Sequence, residues 1–228
     1  ITQHFPDLDT LHAPQNIIEE PPFVLIAPWK IASVADLQTK PLVIKTPSNA
    51  YRIPFFRDFF QQQTLKILHL KRRAEHAING LMDGWAYPRG FHAHWIDTVA
   101  IDHPAIPPKL WKYDLPPNWS RVQTAPLHEV CAFQWCQAHH YTLRDRHYAD
   151  AYHSIWFEDL LDNSSQAIQS LWEWLHVSDE SIRPISDLPL VMATCPPRSQ
   201  RWFAKKEIIT QRCAQKDIQY YMEQLREA

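Results

Sequence analysis

Two groups of side chains in this sequence have types and spacings that could do chemistry. The first is cationic: Lys45 closes the apolar run "PLVIK", and Lys71, Arg72 and Arg73 follow the run "LKILHL". Ligands of open parallel sheets sit at the carboxyl ends of the strands, so two strands ending in cations would converge on one rim. Guanidinium groups there suit a phosphate, because their fork of N–H donors matches its oxygens. The competing reading is that these cations are simply solvated. The second group is Cys131, Cys136, His139 and His140. Five residues on a helix rotate the two cysteines about 500° and leave them roughly 140° apart. That spacing is poor for one ion. It predicts buried thiols beside Trp135, and no metal is expected.

The elements that must position these residues can be read from periodicity. Residues 41–45 and 65–70 read as buried strands, being short apolar runs between breakers. Ser48 or Asn49 can cap a helix after the first. In "KRRAEHAINGLMDGW", Ala77, Ile78, Leu81 and Trp85 share one helical face. Residues 86–126 form a long excursion rich in Pro, Trp and His, the kind of place that holds a lid or substrate loop. Its tryptophans suggest an apolar or amphipathic ligand. "PLHEVCAFQWCQAHHYTLRDR" predicts a helix begun by proline, residues 151–161 a third strand, and "DNSSQAIQSLWEWLHV" a capped helix. A terminal helix starts near Ile208. Strand–helix alternation of this kind predicts an α/β fold with a mostly parallel central sheet flanked by helices, in one domain.

Composition narrows the function classes. With 45% hydrophobic and 21% charged residues over 228 positions, the chain can bury one sizeable core. A formal net charge of -2 gives no general reason to bind nucleic acid, so any anion must be held by local groups. No apolar run is long enough to span a bilayer, and the first residues lack the pattern of a signal peptide. Four cysteines fit reduced thiols, and the expectation is a cytoplasmic protein. The oligomeric state is not legible.

Four blocks carry a resemblance. "VIKTPSNAYRIPFFRDFF", "KILHLKRRAEHAINGLMDGW", "LPPNWSRVQTAPLHEVCAFQWCQA" and "SIWFEDLLDNSSQAIQSLWEWLHV", in that order, resemble the bacterial branch of the sulfotransferases that use 3'-phosphoadenosine 5'-phosphosulfate (PAPS). The resemblance runs over roughly residues 41–206. It implies a P-loop-NTPase-like three-layer sandwich and transfer of a sulfuryl group to a hydroxyl acceptor, with no metal. Lys45 matches the lysine of the K-T-P segment, which stabilises charge developing on the leaving phosphate. Arg72 matches the arginine that holds the 3'-phosphate.

The family's serine eight residues after that arginine is here Gly80, preceded by Asn79, so Asn79 or the Gly80 backbone takes its place. Phe157 replaces the tyrosine of a Y-E-D segment near the adenine, with Glu158 as a structural hydrogen-bond acceptor. "PPRSQRW" resembles the late basic loop over the nucleotide and contributes Arg201 and Trp202. For the general base that sulfuryl transfer needs, Glu19 and Glu20 lie upstream of the K-T-P strand, with His92 and His94 as rivals.

One family element has no counterpart: a strand and Gly-containing loop that cradle the 5'-phosphosulfate. No glycine precedes Gly80. The expectation is that an upstream segment supplies this cradle. The rival is a catalytically degenerate binding protein of the same fold. A P-loop kinase relative is disfavoured, since G-x-x-x-x-G-K-[ST] is absent.

Overall fold

The computed structural model describes residues 33–88, 93–176 and 200–228. Glu19, Glu20, His92 and the glycine-free start of the chain therefore lie outside the described residues. Helix α1 (Val34–Thr39) opens with a capping box between Ser33 and Asp36. After a 3-10 turn over Pro47–Tyr51 come α2 (Ile53–Phe59), β1 (Lys66–Lys71) and α3 (Ala74–Ala86). The antiparallel ribbon β2 (Ala93–Trp95) and β3 (Leu110–Lys112) precedes the long α4 (Leu127–Asp145). The chain ends with β4 (Ala151–Trp156), α5 (Phe157–Asp162), α6 (Ser164–Leu175), α7 (Lys206–Cys213) and α8 (Lys216–Glu227).

Strands β1 and β4 pair in parallel, in the register Lys66 to Ala151 through Lys71 to Trp156. The molecule is thus an α/β protein with a small parallel sheet and many helices. The core is built by helices α3, α4, α7 and α8 with residues 99–111, includes Ile78, Trp85, Trp111, Val130, Ile209 and Leu225, and has Trp156 of β4 packed against it. One buried amide ties the excursion to it: Trp85 Nε1 donates to Gln134 Oε1 at 3.0 Å. Gln134 Nε2 in turn donates to the carbonyls of Lys112 and Asp114, each at 3.0 Å. Trp85 and Trp111 are therefore core residues, and they give no support to an amphipathic ligand surface. No helix among the described residues is long and apolar enough to cross a membrane.

Several expectations are corrected. Residues 41–45 are not a buried strand: they run without a strand partner among the described residues, and Val43 is 82% exposed. An apolar run between Pro41 and Pro47 has the composition of a strand, but composition cannot supply a neighbour to pair with. The following helix is split at Arg52, because Pro54 has no N–H to continue the ladder from the first turn. The third strand stops at Trp156, and 157–162 is helical. The terminal helix is two helices that break at Ala214 and Gln215.

The Lys45 segment also leads to an unexpected end of the sheet. Arg57 donates to the Tyr148 carbonyl at 2.7 Å and to Asp150 Oδ2 at 2.6 Å, and Asp150 accepts from the Leu65 N–H at 2.7 Å. Tyr51 bonds Asp114 and packs edge-on against Tyr141 near the C-terminus of α4. These contacts seat α2 at the amino ends of β1 and β4.

Candidate functional site

The residues that follow the two parallel strands meet at their carboxyl ends. Lys71 and Arg72 are neighbours, yet period-two geometry sends them different ways. Lys71 is buried, donates to the Leu225 carbonyl at 2.9 Å, and lies 4.9 Å over the Trp156 ring. Burial pushes its ammonium below the usual lysine range, with Asp159 opposing. It anchors α8 and does not reach the rim that sequence reasoning assigned to it.

Arg72 stands at the turn between β1 and α3. Its carbonyl accepts Trp135 Nε1–H at 3.0 Å, which fixes the backbone against α4. The guanidinium lies 5.0 Å over the Phe157 ring, so the residue after one strand covers the residue after the other. Gly80 makes this possible. A Cβ at that position would stand 3.1 Å from Arg72 Nη1. Arg72 Nε is buried without a hydrogen-bond partner among the described residues. Burial pushes the guanidinium down from its usual range; Glu158 opposes this and Arg201 adds to it. An arginine nonetheless stays charged at neutral pH.

Glu158 does the structural work expected of it. Its Oε1 accepts the Arg73 N–H at 3.2 Å and pairs with His76 Nδ1 at 2.8 Å, tying α5 to the start of α3. Its Oε2 is buried and unpartnered among the described residues.

A 3-10 turn over Arg201–Lys205 brings two further cations to α3. Arg201 Nη2 donates to Asp83 Oδ2 at 2.8 Å, and Lys205 Nζ donates to Asp83 Oδ1 at 2.5 Å and to Asn79 Oδ1 at 3.0 Å. Asn79 Nδ2 donates to Asp83 Oδ2 at 3.0 Å. Half-exposed pairs of this kind are worth about 1 kcal/mol or less each, since solvent screens them.

Of the residues singled out from sequence, Arg72, Asn79, Gly80, Phe157 and Arg201 thus form one connected cluster. Trp202 stands beside Arg201 but packs on the core and edge-on to Phe203, with ring centroids 4.8 Å apart. Lys45 is exposed and joins none of the contacts around Arg72. His94 is close to the Tyr113 carbonyl, at 3.2 Å, within the excursion. Sequence reasoning missed Asp83 and Lys205. Asp83 was visible in principle, since it lies four residues beyond Asn79 on the same face of an α-helix. Lys205 was not, because it follows Arg201 in a 3-10 turn, where that spacing does not keep one face.

A cavity of about 370 Å³ opens beside the cluster, between Arg73, Trp156, Glu158, Ile218, Met222 and Arg226. Cys131 and Cys136 are buried, and burial pushes both thiols up, that of Cys136 to about 12. Among the described residues no group of three or more His, Cys, Asp or Glu is placed to hold a metal ion.

Gly80→Ala tests the packing. Alanine in a helix is favoured over glycine by about 1 kcal/mol, and the group it crowds is the end of a long side chain. The expected result is a slightly raised melting temperature together with weaker anion binding, because the guanidinium must shift. A variant whose affinity is unchanged would show that the close approach at Gly80 does not matter.

Fold and site together define an α/β protein with a cationic cluster at the carboxyl ends of a parallel strand pair. Comparison of the chain with protein-family models, with curated proteins and with solved structures finds no match.

Proposed function

We propose that the protein is a PAPS-dependent sulfotransferase built on a P-loop-like three-layer sandwich. The acceptor hydroxyl oxygen attacks sulfur, the bridging S–O bond to the 5'-phosphate breaks, and the hydroxyl proton passes to a carboxylate. Arg72 and Arg201 hold the 3'-phosphate, with Asn79 beside them, and Phe157 packs on the base. Lys45 stabilises the departing phosphate, and Glu19 or Glu20 takes the proton.

The observation that carries this reading is the Arg72 guanidinium. It is lodged against Gly80 and over Phe157, with a buried Nε that has no partner among the described residues. A buried, unsatisfied cationic donor is costly unless an anion completes it. A second reading, a binding protein of the same fold without catalysis, is favoured by one fact: Lys45 joins none of the cluster's contacts.

Two measurements separate these readings. Calorimetric titration of the whole protein with adenosine 3',5'-bisphosphate is expected to give micromolar binding, about 8 kcal/mol. Incubation with PAPS and a panel of hydroxylated lipids, phenols and sugars is expected to yield sulfated product. Binding without turnover supports the binding protein, and no binding by the folded protein removes the sulfotransferase reading and leaves the degenerate binding protein.

A further inference from the structure

Asp83 is the one carboxylate to which Arg201, Lys205 and Asn79 all donate among the described residues. The two oxygens divide the donors: Lys205 on one, Arg201 and Asn79 on the other. This is how two oxygens of a phosphate would be held, since a carboxylate and a phosphate present comparable acceptors to the same cations. The groups concerned are accessible. The Asp83 side chain is 23% exposed, against 28% for Arg201 and 32% for Lys205. Arg201 lies close enough for its charge to act on Arg72, whose Nε finds no partner among the described residues. The cluster therefore contains three cations, one carboxylate bound to two of them, a second carboxylate, Glu158, close to the third, and an unsatisfied donor on that third cation.

We propose that Asp83 is a built-in competitor that sets the affinity of this site for anions. It occupies Arg201 and Lys205 until a phosphate-bearing ligand displaces it. The inference rests on reading the Arg72 cluster as an anion site. Its physical basis is a comparison of two acceptors for the same donors. The Asp83 pairs are partly exposed and screened, so they hold the cations weakly. A dianionic phosphate offers more charge and can also complete Arg72. Asp83 makes the resting site self-neutralising and raises the ligand concentration needed to fill it.

Inorganic phosphate is the probe, titrated calorimetrically at low ionic strength into the full chain and into Asp83→Asn. The isosteric amide keeps the shape but removes the charge. Asp83→Asn is expected to bind phosphate about tenfold more tightly, about 1.4 kcal/mol, and Asp83→Ser likewise. Asp97→Asn removes a carboxylate that is 88% exposed and paired with Lys109; it should change affinity less than twofold.

Unchanged or weakened phosphate binding in both Asp83 variants overturns the inference, because Asp83 would then be orienting the cations. An equal gain in Asp97→Asn overturns it as well, since the effect would be one of overall charge. Loss of folding in both Asp83 variants also counts against it, and so does failure of every variant to bind phosphate. A parallel titration with adenosine 3',5'-bisphosphate keeps the two readings apart. A phosphate gain without nucleotide binding leaves Asp83 as the competitor and removes the sulfotransferase reading.

Discussion

Replacing Arg72 by alanine is expected to lower affinity for adenosine 3',5'-bisphosphate by a little over 100-fold while leaving the fold intact. Two charge-assisted hydrogen bonds to a phosphate, at about 1.5 kcal/mol each, give about 3 kcal/mol. Stability should change by less than about 1 kcal/mol, for a reason specific to this site. The guanidinium is desolvated and its Nε bonds nothing among the described residues, so its removal relieves one cost as it forfeits the contact with Phe157. Glu158, the nearby carboxylate, keeps His76 and the Arg73 N–H. The check is calorimetry beside thermal unfolding. Binding within tenfold of the parent would sink the assignment of Arg72 to the phosphate, and a large drop in melting temperature would show that Arg72 is structural.

The second large effect concerns pH. His69 on β1 and His139 on α4 are buried and linked, Nε2 to Nδ1, at 2.8 Å, and His69 Nδ1 meets the Tyr152 hydroxyl at 2.7 Å. One proton on each ring satisfies this chain. A second proton on one ring still finds an acceptor, the Tyr152 hydroxyl or the other ring, so the cost of charging either ring comes chiefly from burial. Second protons on both rings would set Nε2–H against Nδ1–H. Burial, with Lys71 and Arg146 nearby, pushes His69 down to about 3. Burial and the neighbouring His69 push His139 well below its ordinary value.

Above pH 6.5 both rings are neutral in folded and unfolded chains and impose no penalty. As pH falls below 6.5, the unfolded chain binds protons first, so stability is lost progressively towards the folded value. His69 alone accounts for about 3 kcal/mol by pH 4, at about 1.4 kcal/mol per pH unit. Urea unfolding at pH 7, 6 and 5 reads this window before most carboxylates titrate. His69→Gln is expected to flatten the slope in part, His139 still contributing, and an equal slope in that variant would exclude His69 as a source.

The helices over 74–86 and 127–145 and the strands after residues 65 and 150 were legible because their signals are local. A 3.6-residue apolar period, or a short apolar run before a helix, reports on the residues that carry it. The run 41–45 has the same local signature as β1 but no partner strand among the described residues. Strand identity depends on a partner that is distant in sequence, and that information is not in the run itself. The same limit applied to "KRR". Read as one basic block, it became in three dimensions a buried anchor for α8, a guanidinium at the site and, at the N-terminal boundary of α3, a residue whose N–H donates to Glu158.

The sequence by itself determined the helices over 74–86, 127–145 and 164–175, the two parallel strands β1 and β4, and that Arg72, Gly80, Phe157 and Arg201 belong to segments able to meet. Only the tertiary structure decided that Gly80 is the space for Arg72, that Lys71 turns inward, and that Asp83 takes the two cations Arg201 and Lys205. The reason is range: periodicity and turn chemistry act over a few residues, whereas the Arg201–Asp83 pair joins positions 118 residues apart. Such a contact exists only once the whole chain has packed.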